Sequence, residues 1–183
     1  MATHSTVRWL IAAILVAASF TAHADYGDSL LSDQATTIDR LIRITKHPHE
    51  MADSTALLCR KPIEKPHQMH DGFITPAYCH VYVSKAAEPF MRSGGIDYLV
   101  GSLIVKSKFP KDHPNRVELY TVMRKMKAGY DADNGDWEYS IVDGRSRRVH
   151  ARGRIDSCIK CHAAYSTTGY VTRAYIAEPG EKP

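Results

Sequence analysis

Ser102-Leu103-Ile104-Val105-Lys106-Ser107-Lys108-Phe109 is the stretch whose reading sets the fold. On an extended chain Leu103, Val105 and Phe109 share one side, while Ser102, Lys106 and Lys108 share the other. Ile104 breaks the alternation. The run predicts a strand with one buried face. Tyr78 to Val83 upstream, and Val117 to Met126 and Trp137 to Val142 downstream, are further candidates, rich in aromatic and β-branched residues. Asp131-Ala132-Asp133-Asn134-Gly135-Asp136 lies between the last two and reads as a turn, because Asn and Gly tolerate left-handed backbone. Short links between successive strands favour antiparallel pairing. No internal repeat and no second-domain boundary is visible. The predicted class is α+β: an antiparallel sheet with flanking helices and a helical C-terminal segment.

Toward the N-terminus, Leu31, Ala35, Ile38, Ile42 and Thr45 fall on one stripe at helical spacing, which predicts a helix from about Ser29 to Lys46. His47-Pro48 would end it, since the residue before proline is pushed out of helical geometry. Residues 49–76 contain Pro62, Pro66 and Pro76 and read as a long connection, with a short helix around Ser54 to Cys59. Residues 1–24 have the form of a secretory signal: a slightly basic start, an apolar run from Trp9 to Phe20, and Ala22-His23-Ala24 as a cleavage site. That run is too short for a permanent span, so the expectation is an exported, periplasmic-type chain. Residues 25–183 then form one domain, with no membrane contact after cleavage. The formal net charge of +4 is too mild to argue for nucleic acid.

All four cysteines, Cys59, Cys79, Cys158 and Cys161, lie beyond the signal. In an oxidising compartment Cys59 and Cys79 are expected to pair as a structural disulfide. The alternative is two buried thiols in apolar niches.

Cys158-Ile159-Lys160-Cys161-His162 carries the chemistry. On a helical turn the two sulfurs lie on one side, where they can add to the vinyl groups of a haem as thioethers. The next residue brings an imidazole to the iron. Three other readings compete. Structural zinc needs four ligands and a second Cys/His pair, for which His67 and His70 are the nearest source. A thioredoxin-like redox pair belongs at a strand-to-helix junction near the start of a βαβ unit, and this pair comes late in the chain. A plain disulfide is sterically awkward and leaves His162 unexplained. The expected cofactor is haem c, one iron porphyrin on Cys158, Cys161 and His162.

Five blocks carry a further likeness: Gly101 to Lys108, Leu119 to Lys125, Gly129 to Asp131, Asn134 to Tyr139, and Cys158 to His162. In order and spacing they resemble the cytochrome P-460 family over roughly Ala77 to Tyr175. The resemblance implies a β-rich haem domain, usually dimeric, acting on hydroxylamine or binding nitric oxide as the related cytochromes c′-beta do. It also implies a small-molecule ligand or substrate and a redox partner protein. Lys106 falls where the family's enzymes bond a lysine to the haem edge; otherwise it is the polar side of a half-exposed strand. The carboxylate of the hydroxylamine-oxidising members aligns with Thr121, which cannot act as a general base. Glu118 is expected on the opposite face. Gly169-Tyr170-Val171-Thr172 stands where the family commonly has Asp-x-Val-Phe. Both departures weaken the case for turnover, so whether the chain is an enzyme stays open.

The iron's other axial position has several candidates, Met123 first, then Met51, Met69, Met126, His80 and His150. A strong ligand there would make a simple electron carrier. The basic run Arg145, Arg147, Arg148, Arg152 and Arg154 suits haem propionates or an acidic redox partner, or a solvated loop.

Overall fold

Residues 38–51 and 77–176 are described by the computed structural model. In them the four predicted strands form and pair in chain order. The strands are β1 (Ile42–Arg43), β2 (His49–Glu50), β3 (Ala77–Val83), β4 (Leu103–Pro110), β5 (Leu119–Lys125), β6 (Trp137–Asp143) and β7 (Val149–Gly153). Together they make one antiparallel sheet, a β3-β4-β5-β6-β7 meander with β1 and β2 end to end along the outer edge of β3.

The sheet is covered on both faces, and this explains why Ile104 broke the alternation. Its near face carries Val81, Val83, Ile104, Met123, Trp137 and Tyr139 in one core cluster. The far face carries Val105, Tyr120, Val122 and Val142 against Ile38. Every residue of β6 is buried. A strand buried on both sides has no polar face to display, so period-two patterning fades. Ile104 stands between Val83 and Met123 on the near face, and Lys106 and Lys108 share that face rather than a solvent side.

Two helices are short. Helix α1 (Glu88–Ser93) has a proline in its first turn and ends at Gly94, whose φ of 84° is the left-handed C-cap conformation. It seats Met91, which is buried in the near core. Helix α2 (Asp156–His162) follows β7 and runs into a 3-10 turn over Ala163–Thr168.

Of the helix expected from Ser29 to Lys46, the described part is helical only at Ile38 and not over 39–46. Ile42–Arg43 is a strand paired with Tyr82 and Val83, and Ile44 and Thr45 continue the contact through backbone and hydroxyl bonds to Val81. Ile42-Arg43-Ile44-Thr45 is β-branched at three of four positions, and an open sheet edge outweighs a helical stripe. The long connection from 49 opens with strand β2 instead. Residues 29–37, the helix at Ser54 to Cys59, and the signal segment lie outside the described residues.

Candidate cofactor site

Over strands β3 to β6 the near face opens into a pocket that is partly continuous with solvent. Val81, Ile104, Lys106, Thr121, Met123 and Tyr139 form its floor. Cys158, Cys161, His162 and Tyr165 form the opposite wall, and Met91, Val171, Thr172 and Tyr175 close the ends. Strand register fixes the floor: Lys106 lies between Val81 and Thr121, and Met123 between Ile104 and Tyr139.

Helix α2 makes the wall. Positions three apart lie on one helical face, which turns Cys158 and Cys161 to the pocket together. Ile155 and Ile159 pack into the near core. Their partial burial contributes less than the roughly 1.5–3 kcal/mol of full burial each, and it pins the helix against the sheet.

His162 is held by the chain that follows it. Its Nδ1 lies 2.7 Å from the carbonyl oxygen of Tyr170. A carbonyl can only accept, so Nδ1 carries the proton and Nε2 keeps its lone pair. Burial lowers the imidazole's proton affinity most; the Tyr170 bond pulls it back up, the Lys106 charge lowers it again, and the net shift is downward. The ring is neutral, and Nε2 is able to donate its lone pair to a metal.

The carbonyl of Tyr170 is itself fixed. Gly169 and Tyr170 both have positive φ, 68° and 64°. The indole N–H of Trp137 donates to the Gly169 carbonyl at 2.9 Å, and the Tyr170 hydroxyl donates to the Asp133 carbonyl at 2.8 Å. A side chain on Gly169 would sit 2.9 Å from the Ile96 carbonyl oxygen, so only glycine fits this turn. The Asp131–Asp136 cluster thus anchors the segment that aims His162.

Tyr139 packs its ring 5.4 Å from that of His162. It is 2% exposed, and its hydroxyl has no hydrogen-bond partner among the described residues. Burial foremost, then the neighbouring Cys158, pushes its phenol well above the usual range, so it stays protonated. Lys106 is half-buried, with Nζ 5.8 Å from the centre of the Tyr175 ring. Tyr175 in turn meets His49 edge-on at 4.9 Å.

Of the predicted site residues, Lys106, Cys158, Cys161 and His162 come together here, joined by Thr121 and Met123. Met51, Met126, His80 and His150 do not line the pocket: Met51 packs with Ala77 and Cys79, His80 bonds Thr45 and His150 faces Asp143. Glu118 is also outside it, near Arg116. Nor does any residue of the arginine run line it, and that run is not a plain loop. Val149–Gly153 is strand β7, Arg152 pairs with Glu138, and Arg147 lies over the Tyr120 ring and against Asp39. Cys79 is buried, whereas Cys59 and Met69 lie outside the described residues, as do His67 and His70. Among the described residues no three His, Cys, Asp or Glu side chains converge as a metal cluster.

Met91, Tyr139, Tyr170 and Tyr175 were not anticipated as site residues. Aromatic and Met residues look alike in sequence whether they fill core or line a cavity, and only sheet register separates the two. No protein-family model matches the chain, and no curated protein matches it.

Proposed function

We propose that this chain is an exported c-type cytochrome that binds a small nitrogen oxide at a single haem. The haem is held by thioethers to Cys158 and Cys161 and by Nε2 of His162. The haem supplies a redox-active iron and an exchangeable coordination position. The observation that carries the reading is the hydrogen bond from His162 Nδ1 to the Tyr170 carbonyl, beside two cysteines on the same wall. It leaves one nitrogen lone pair on a histidine that lines the same pocket as both cysteines, the donor set that such a haem requires.

Each surrounding group then has a task. Val81, Ile104, Val171 and Met123 give the cavity an apolar lining. The Tyr170 carbonyl fixes the tautomer and plane of His162. Lys106 brings an amine to the same floor, between Val81 and Thr121. No Asp or Glu lines the pocket among the described residues, and Thr121 cannot take a proton from hydroxylamine. This favours binding of nitric oxide over hydroxylamine turnover.

The full chain, expressed in an exporting host with a haem-ligation apparatus, is expected to be coloured and to carry one covalent haem by mass. Cys158→Ala with Cys161→Ala is expected to abolish the adduct. Colourless wild-type protein of unmodified mass ends the proposal.

A second reading has its own support. Met123 lies in the pocket floor, 7% exposed, and thioether sulfur is a strong axial ligand. Sulfur from Met123 on the iron would make a six-coordinate electron carrier. A reduced protein whose spectrum ignores nitric oxide, and responds to it in Met123→Ala, selects that reading.

A further inference from the structure

The hydroxyl of Tyr139 is out of keeping with its neighbours. Tyr98 sets its hydroxyl against Sδ of Met91 at 3.9 Å, and Tyr170 donates to the Asp133 carbonyl. Tyr139 is as deeply buried as any of them, yet its oxygen meets no acceptor among the described residues. Burying a hydroxyl unpaired is costly, and buried polar groups nearly always find a partner. Phenylalanine would fill the same volume of β6 without that cost. The side chain stands on the pocket face of the sheet, between Met123 and Gly153 in register and against the His162 ring.

We infer that the Tyr139 hydroxyl is a hydrogen-bond donor to the molecule that occupies this pocket, and that it tunes that molecule's electronic properties. The inference rests on the haem proposal and deepens it. A haem held here presents two kinds of lone pair: a thioether sulfur at Cys158 or Cys161, and the nitrogen or oxygen of a small ligand on the iron. A donor to either draws electron density away from the metal centre. Tyr139 is a positioning and tuning residue, and no covalent or redox step is asked of it.

The test compares haem-loaded wild type, Tyr139→Phe and Tyr120→Phe, the last removing a buried hydroxyl from the opposite face of the sheet. Reduction potential is measured without added ligand, and the N–O stretch and dissociation rate with nitric oxide as probe. If the acceptor is the iron's ligand, Tyr139→Phe raises the N–O stretch and speeds dissociation about two- to tenfold, as loss of one hydrogen bond implies. If it is a thioether sulfur, the potential falls and the stretch is unchanged. Coloured Tyr139→Phe protein that matches Tyr120→Phe in all three overturns the inference. Failure of the haem reading looks different: the wild type itself is colourless.

Discussion

The two faces of the sheet use similar apolar material to opposite ends. On the far face, Val105, Tyr120, Val122 and Val142 close against Ile38; Arg152 pairs with Glu138, Arg147 with Asp39 and the neutral His80 bonds Thr45, although Glu138 Oε2 and Arg147 Nη1 are buried without a partner among the described residues. On the near face Ile155 and Ile159 pack helix α2 against a larger core but leave a pocket beside them, and there lie the cysteines, the His162 imidazole and the unmatched Tyr139 hydroxyl. Polar groups with partners stabilise the fold. Those left waiting over a cavity point to a ligand.

If that contrast is right, near-face changes disturb both stability and haem loading, and far-face changes disturb stability alone. Trp137→Ala should have the largest effect. It removes a fully buried indole and the bond to Gly169, with an expected loss of about 3–5 kcal/mol by denaturant titration. The surviving folded fraction should load haem poorly, because the His162 tether is loosened. Gly169→Ala comes next, at roughly 2 kcal/mol, from its left-handed backbone and the contact with Ile96. Its thermal midpoint should fall, and its haem absorbance should fall with it.

Val105→Ala on the far face should cost about 1.5–2 kcal/mol for the lost methyls and leave the haem spectrum unchanged. A spectral change there would break the division between the faces. The smallest effect is a dependence on pH. Burial, then the Arg43 charge, lowers the proton affinity of His80 below its ordinary 6.5. The unfolded chain therefore binds this proton more readily, and stability is full above about 6.5 and declines as pH falls below it. Unfolding titrations between about pH 5 and pH 8 should show that slope in the wild type and a shallower one in His80→Gln, where the buried His162 still contributes. A flat wild-type profile would show that His80 is not held neutral by the fold.

Much of this arrangement was legible because it is local. β3 to β6 announced themselves through β-branched and aromatic residues, and Cys158 to His162 through spacing on a helical turn. The pairing of Ile42–Arg43 with β3 was not, since a four-residue edge segment and a helical stripe share the same isoleucines until a partner strand is known. Helix α1 left a weak trace, Pro89 near its start and Gly94 at its end, too short for periodicity to register. Lys106 looked like a solvent-facing residue because the sequence alone cannot tell that both faces of β4 are covered. The Tyr170 carbonyl was invisible in principle, for it belongs to the backbone and every residue has one.

The orientation of His162 depends on the path of the main chain between 162 and 170, which the Tyr170 hydroxyl and the Gly169 turn hold in place. An insertion or deletion of one residue in that interval would displace the carbonyl and misalign the ring, even with every cysteine and histidine retained. Spacing in this segment, as much as residue identity, is the trait that descent should preserve.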